Sequence, residues 1–544
     1  MSESAPAARH GPGDLRDVRP LVVAAIASSA YAALVAPFYP GSLALLLIFS
    51  ATAGLYLCVI AVWRPSYFLS ILAAFLILGI PVKLIAHLVF GARLVEGLGA
   101  FRNTPEQWDL TLVFSTAGLL GVLLASASVI ALGNGRSSTD ARSTRAYREG
   151  LYRMLVALVV AGGAAAYVLN ALFNIMKVGY PPLIAFPFPL SLVLPFLISW
   201  GVLLAGLSLA WWRVERGGMD ASNLVLVAVA VGAPASITMG SRVQMLLYVL
   251  AAALAFVSAS KYARLSELLT PKLFKTLAIA AGIYVLSLAI VTVVRSLDFM
   301  LAPPDEAIVQ DVTRPPPPAV STPAPAVAPK VEARQTADPD TPAEPETPSE
   351  RIAEPPPRPQ NLTIEARLER IFRELRSLVI MRWVGLEGVM NAAGTADRAG
   401  LDMLRQLVVD SPDKGMDALY QQIARPPYQE VVYYTFLTLP GPVGLLSFSG
   451  SRVVIMLGMF ALALCGYAIE RLATVVTRNT AAVTVSSVAL AYLLVQVHFF
   501  GLLLIFALEL VLALIAIGLV RTALFPAAMP REAPEVGPRG VTAP

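Results

Sequence analysis

About twelve apolar runs, each near the length that crosses about 30 Å of hydrocarbon, pattern this chain. They lie at 20–39, 41–63, 67–90, 110–133, 151–175, 191–213, 224–240, 245–260, 277–297, 452–470, 481–499 and 501–521. Each predicts a membrane-spanning α-helix, because a helix satisfies its own backbone polar groups where no water can. The alternating segments of about 10 residues that mark a transmembrane β-barrel are absent. The expected fold class is an all-α polytopic integral membrane protein. The first run follows 19 residues and is succeeded almost at once by another, so it reads as a span rather than a cleavable signal peptide.

Between the ninth and tenth runs the pattern changes twice. From Pro303 to Pro359 the chain is rich in Pro, Ala, Glu and Thr, as in "RPPPPAVSTPAPAVAPK", and holds no aromatic residue. Such a segment buries too little surface to offset its ordering entropy, and an extended, polyproline-leaning linker is expected. A PxxP ligand for a partner is the alternative. "NLT" at 361–363 fits a glycosylation acceptor, but Asn361 or Thr363 capping a helix is the better reading. Helical periodicity then returns with Ile364, Leu368, Ile371, Leu375 and Leu378. Arg367, Arg370, Arg373 and Arg376 form a basic row on the same helix, interleaved with Glu369 and Glu374. That row is either a solvated face or a surface for phosphate headgroups or glycan.

The stretch "SLVIMRWVGLEGVMNA" follows, with Arg382 and Glu387 bracketed by apolar residues. Five residues apart, they would not share a helix face, but a break at Gly385 would turn both into one cleft. Two helical stretches, "TADRAGLDMLRQLVVD" and "DKGMDALYQQIA", come next. "RPPYQEVVYYTFLTLPGPVGLLSFSGSR" then reads as a re-entrant or membrane-surface loop, tolerated only where protein buries it or a cavity adjoins it.

Composition agrees with the pattern: 57% of the 544 residues are hydrophobic and 14% charged, against about 25% charged in soluble domains. Cys58 and Cys465 both fall inside apolar runs, without metal or redox spacing, and read as small core residues. The net charge of +5 gains meaning only when its residues are placed. Arg9, Arg16 and Arg19 precede the first span; Arg64, Arg136, Arg142, Arg145, Arg148, Arg213 and Arg216 follow in alternate connections. Lys261, Arg264, Lys272, Lys275, Arg471, Arg478 and Arg521 continue the series. All fall on one side if the spans alternate, whereas the short loops opposite hold only Arg93, Arg102, Lys177 and Arg242. The positive-inside rule then puts both termini in the cytoplasm and 298–451 outside it. The expected organisation is a tail at 1–19, nine spans over 20–297, the linker at 298–360, a helical loop domain at 361–451, three spans over 452–525 and a tail at 526–544.

Ionisable groups inside the spans are few. Lys83 and His87, four residues apart in "IPVKLIAHLVF", share a helix face near the outer leaflet. Lys83 snorkelling and His87 hydrogen-bonded in the core are the plain readings, and ligand contact the sharper one. His498 is expected at the interface, Glu470 as a boundary charge, and Glu509 facing protein or water. A proton-relay row, metal-ligand spacings, GxSxG elbows, P-loops and dinucleotide turns are missing. Arg242, in "MGSRVQMLLYVLAA", falls in the outer turn between the seventh and eighth spans. It anchors that turn at the headgroups, or aims a fork of donors at a phosphate or pyrophosphate.

The "GSR" turn entering an apolar helix resembles the corresponding element of Wzy-type oligosaccharide repeat-unit polymerases, the O-antigen and exopolysaccharide polymerase family. "RWVGLEGVM" and "LTLPGPVGLLSFSGSRVVIMLGMFALALCGYAIERL" resemble that family's large-loop and following-span pattern, over roughly residues 220–500. The Pro-rich insert and the lack of paired arginine-rich loop motifs depart from it. The resemblance implies a GT-C-like glycosyltransferase with one large periplasmic loop in a bacterial inner membrane. It would act on polyprenyl-diphosphate oligosaccharides among membrane lipids, with no metal or other cofactor. It implies flippase or chain-length-regulator partners and no nucleic acid. Arg242 and Arg382 would neutralise the departing pyrophosphate and Glu387 would act as general base. Arg452, Arg376, Arg425, Lys83 and His87 would contact substrate. A flippase or transporter of a lipid-linked sugar and a non-catalytic membrane subunit are the other classes; paired broken helices of a transporter are not visible.

The charge distribution generates a direct test. A reporter active only in the periplasm should be active when fused after Pro329 and silent when fused after Thr139. The reverse pattern overturns the topology.

Overall fold

A computed structural model describes residues 19–132, 147–259, 271–301, 383–425 and 437–526, apart from Arg93, Val95, Pro181 and Ala185. The chain divides into two compact units, 1–302 together with 377–544, and 303–376. The second unit, which contains the Pro-rich linker and the basic row ending at Arg376, lies outside the described residues, as does Arg382. The expected domain boundaries within 298–382 are therefore not described.

All regular elements among the described residues are helices, and each of the twelve apolar runs is one of them. They are α1 (Arg19–Val35), α2 (Leu43–Trp63), α3 (Tyr67–Leu88), α4 (Pro105–Ala131), α5 (Glu149–Phe173) and α6 (Leu190–Glu215). After them come α7 (Asn223–Met239), α8 (Gln244–Ala259) and α9 (Pro271–Leu301). Four short helices follow: α10 (Leu386–Gly394), α11 (Leu401–Val408), α12 (Leu419–Ala424) and α13 (Gly441–Ser447). The chain ends with α14 (Arg452–Thr477), α15 (Thr480–Val495) and α16 (Phe500–Leu524). Among the described residues nine helices are long and apolar enough to cross a membrane, and α7, α8 and α15 are shorter apolar helices. This is a multi-pass membrane protein. Helix α4 begins at Pro105, before the apolar run itself, because the Thr104 side chain caps its first turn by accepting from the Gln107 N–H at 3.4 Å.

Helix α15 sits at the centre, against α3, α6, α8 and α14. Its sequence, "TAAVTVSSVALAYLLV", is small and apolar around nearly the whole circumference, which lets four helices approach it closely. The hydroxyls of Thr484 and Ser486 donate to the carbonyls of Ala481 and Val483, which satisfies them within the helix itself. Enclosed by protein, a helix only about 24 Å long need not match the bilayer. The outer helices differ: Leu21, Val22, Val23 and Ile26 on α1 and Leu504, Leu508 and Leu512 on α16 are exposed, as a lipid-facing surface requires. Cys58 is buried, but Cys465 faces outward on α14 rather than into the core.

Polar side chains cap helix starts at one end of the bundle. The Glu470 carboxylate, on α14, accepts from the Tyr67 N–H at 3.0 Å and the Phe68 N–H at 2.6 Å, while Ser66 accepts from Leu69. Glu470, expected as a boundary charge, thus caps α3 through its orphan donors. Asn479 caps α15 and donates to the Ser208 carbonyl at 2.9 Å. Glu149 pairs with Arg213 at 2.9 Å. These contacts gather one end of the bundle, where Arg64, Arg148, Arg213, Arg216, Arg471, Arg478 and Arg521 all lie.

The opposite end takes in part of the long connection. Helices α10 and α13 are buried along almost their whole lengths, packed on each other and on α4. Their backbones touch because Gly388 meets the Pro440 carbonyl and Gly444 meets the Gly388 backbone; any Cβ at 388 would collide with that carbonyl. The re-entrant reading of "LTLPGPVGLLSFSGSR" suits this burial by protein. Helices α11 and α12 add a small second core, with Leu407, Tyr420 and Ala424 against Ala392, Leu445 and Phe448.

Gly388→Ala should therefore force α10 from α13 and cost about 1–3 kcal/mol, lowering the melting temperature in detergent. Gly162→Ala, whose Cβ meets open space on α5, should be neutral or slightly stabilising. Equal behaviour of the two variants would refute the close approach.

Candidate functional site

Helix α3 widens into a single π turn over Leu78–Val82, around Pro81, which has no N–H to continue the ladder. The Pro81 carbonyl accepts from the Tyr31 hydroxyl at 3.0 Å. Immediately after the turn stands Lys83. Its ammonium lies 2.5 Å from Glu387 Oε1 and 2.6 Å from Oε2, and donates to the Trp383 carbonyl at 2.7 Å. Both side chains are sealed, at 0% and 1% exposure. Snorkelling, the plain expectation for Lys83, is thus corrected: the ammonium turns into the protein because a carboxylate and a carbonyl replace its water. At Gly385 the chain breaks before α10, and a Cβ there would lie 2.9 Å from Ile80 and 3.0 Å from the Gly79 carbonyl. That contact brings Glu387 to α3. The Trp383 ring stacks on Phe75, with centroids 5.3 Å apart.

One turn further along α10, on the same face as Glu387, sits Asn391. Neither its Oδ1 nor its Nδ2 has a hydrogen-bond partner, although the residue is fully buried. The buried Tyr420 hydroxyl and His498 Nδ1 likewise lack partners. The Tyr420 and His498 rings meet edge to face at 5.6 Å, and Tyr420 meets Phe448 at 5.9 Å. Gln421 holds the remaining strand of this cluster, donating to the Thr438 carbonyl at 2.9 Å and accepting from the Thr438 N–H at 3.0 Å. Its Nε2 approaches His498 Nε2 at 3.4 Å. Because an amide nitrogen only donates, His498 Nε2 accepts, which assigns the ring proton to Nδ1.

Burial pushes the His498 pKa down to about 4, opposed by the Asp410 carboxylate. The imidazole is neutral at pH 7, and its place is inside the protein rather than at the interface expected from sequence. Burial also pushes the Tyr420 hydroxyl well up, opposed by the Asn391 amide, which lies beside it but outside hydrogen-bond geometry. The connection before α4 closes over the cluster: Gly97 N–H donates to Thr438 Oγ1 at 3.3 Å and Gly99 N–H to the Ala424 carbonyl at 2.9 Å. Gly99 has φ +58, and a Cβ there would stand 2.5 Å from Asn391 Oδ1, so both conformation and space call for glycine.

Of the residues expected from sequence, the structure joins Lys83 and Glu387. His87 is part-buried; its Nδ1 lies 2.9 Å from the Ala92 carbonyl and its ring stacks on Trp108 at 6.0 Å, which ties down the 89–104 connection. Arg242 is half-buried in the turn after α7, which the Gly240 φ of +63 makes possible. That turn docks on the α5–α6 connection, where the Val178 N–H donates to the Met239 carbonyl at 2.9 Å. Below it, the π turn of α6 at Leu197–Gly201 exposes the Ser199 carbonyl, which accepts from Gln244 at 2.7 Å and from Tyr248. Arg452 and Arg425 are exposed, the first opening α14 and the second closing α12. Arg376 and Arg382 lie outside the described residues.

Sequence reasoning missed Asn391, Tyr420, Gln421 and Thr438. Asn391, four residues after Glu387 in an apolar helix, was the one legible signal. The others come from separate elements. Comparison with known protein families, with curated proteins and with solved structures finds no match for this chain.

Two outcomes test the cluster. Lys83→Met and Glu387→Leu should each destabilise by about 3–5 kcal/mol, whereas the double variant should recover most of that loss; additive melting shifts would contradict the pairing. His498 has a folded pKa below its unfolded value near 6.5, so the unfolded chain binds more protons. Its contribution is full above about pH 6.5 and is lost as pH falls towards 4. His498→Phe should flatten thermal stability across that window, and an unchanged profile would contradict its burial as a neutral ring.

Proposed function

We propose that this protein polymerises lipid-linked oligosaccharide repeat units at the periplasmic face of a bacterial inner membrane, building a cell-surface polysaccharide. The observation that carries this reading is a carboxylate, Glu387, held within a buried polar cluster at the end of the bundle opposite its arginine-rich end. The positive-inside rule makes the arginine-rich end cytoplasmic and the cluster periplasmic. The resemblance of "GSR", "RWVGLEGVM" and the following span to repeat-unit polymerases supports the same assignment.

Glu387 acts as general base. It takes the proton of the attacking sugar hydroxyl as that oxygen bonds to the anomeric carbon and the bond to polyprenyl pyrophosphate breaks. Lys83 holds the carboxylate in register and balances its charge. Arg242 and Arg382, with Arg452, neutralise the departing pyrophosphate through charge-assisted, bidentate contacts. Arg425 and His87 contact the substrate. Helices α7 and α8, about 25 and 24 Å long at 1.5 Å per residue, are shorter than the hydrocarbon layer, which lets the Arg242 turn sit at phosphate depth.

One observation favours a second reading. The complete seal around Lys83 and Glu387 suits a staple that fixes α10 to α3 in a non-catalytic subunit.

Purified protein supplied with polyprenyl-diphosphate oligosaccharide separates the classes. Polymer growth supports the proposal; translocation of the lipid-linked sugar, or neither outcome, rejects it. Glu387→Gln should abolish growth. Arg242→Lys should accumulate normally yet slow growth about tenfold to a hundredfold, since a charge-assisted bond contributes about 1.5–3 kcal/mol. A lysine variant making wild-type chain lengths would leave Arg242 a membrane anchor.

A further inference from the structure

We propose that Asn391, Tyr420 and His498 form a binding site for the vicinal hydroxyls of a neutral sugar, reached from the cleft between α11 and α12. Three side chains carry it. Asn391, Tyr420 and His498 are each more than nine-tenths buried, and each has a polar atom without a hydrogen-bond partner. Buried polar groups are paired in most proteins, so several orphans converging at one place mark a site built for a ligand's polar groups. The orphans are complementary in kind: Asn391 offers an acceptor and a donor, Tyr420 a hydroxyl, and His498 a donor at Nδ1. A planar amide presenting both functions suits adjacent hydroxyls, which each donate and accept. The rings of Tyr420, His498 and Phe448, meeting edge to face, supply the apolar surface that sugar C–H faces pack on. The histidine is neutral, so the orphan donors and acceptors add no charge of their own to bind an anion.

The approach is polar as well. A cleft of about 320 Å³ is lined by Gln406, Asp410, Lys414, Asp417, Leu419 and Gln422, on the elements that carry Tyr420. Asp410 fixes its rim, accepting from Lys414 at 2.7 Å and from the Leu419 N–H at 2.6 Å. Leu419, which lines the cleft and donates its N–H to that carboxylate, directly precedes Tyr420, so the cleft borders the element that carries the cluster. Helices α11 and α12 share a small core with Leu445 and Phe448, distinct from the main core of the bundle, and add a few backbone hydrogen bonds, such as Gly400 N–H to the Phe448 carbonyl at 2.9 Å, so this region can open locally while the main core stays packed.

This inference rests on the proposed function only in naming the sugar as the acceptor end of the growing chain. Saturation-transfer NMR on the full-length protein in detergent, with neutral hexose oligosaccharides as probe and polyethylene glycol of matched length as control, tests it without any turnover. Saturation of the oligosaccharide and not of the glycol is expected. Asn391→Leu should weaken that binding about tenfold, and Tyr420→Phe should weaken it also. Removing orphaned polar atoms should at the same time leave the melting temperature unchanged or raise it. Equal saturation of oligosaccharide and glycol overturns the proposal. So does an Asn391→Leu variant that binds normally, or one that loses binding together with stability, since either makes Asn391 a structural residue. Oligosaccharide binding in a protein that makes no polymer would reject the polymerase and keep the site. Polymer growth with unaltered acceptor KM in Asn391→Leu would do the reverse.

Discussion

A lysine and a glutamate with no access to water hold this molecule's least regular region to its most regular one. Lys83 belongs to a spanning helix and Glu387 to a connection, and neither charge could be buried without the other. Removing an ion from water costs several kcal/mol, recovered only by close opposite charge and further hydrogen bonds. The ammonium meets both terms, with two carboxylate oxygens and the Trp383 carbonyl around it. Everything nearby follows from holding that geometry. Gly79 and Gly385 let backbones touch, Gly388 and Gly444 let α10 lie on α13, and the π turn at Leu78–Val82 precedes the lysine that faces Glu387.

The same constraint, that buried polar groups need partners, explains how the bundle ends are made. Glu470 reaches from α14 to cap α3, Asn479 joins α15 to α6, and Asp109 accepts from both Tyr39 and the Ser42 N–H near the start of α2. Each of these side chains serves the start of a helix, where backbone donors are left over. Buried polar atoms without partners also occur singly, at Tyr56, Ser115, Tyr167 and Ser487, but at Asn391, Tyr420 and His498 several lie together. A protein that caps helices across hundreds of residues of sequence separation leaves several polar atoms unpaired in one cluster, beside a sealed carboxylate. A ligand with hydroxyl groups is the partner we propose for them.

How much of this the sequence carried can be argued residue by residue. The twelve helices were legible because an apolar run declares itself locally, as does the break at Gly385 and the burial of "LTLPGPVGLLSFSGSR". Lys83, His87, Glu387 and Arg242 were legible as candidates because charge is rare in such company. Lys83 and Glu387 were not legible as partners. Some 300 residues separate them, and nothing in either local sequence specifies the other. His498 and Glu470 were misjudged for the same reason, since their position along a helix gave their depth but not their neighbours.

The sequence by itself therefore determined the membrane class and the helices, because those depend on transfer of contiguous segments between water and hydrocarbon. Tertiary structure alone decided which short helices insert beside α3 and α4, which charges meet, and which polar atoms stay unpaired. Those outcomes depend on close packing between elements far apart in the chain. There a single glycine or carboxylate has meaning only through the surface it touches.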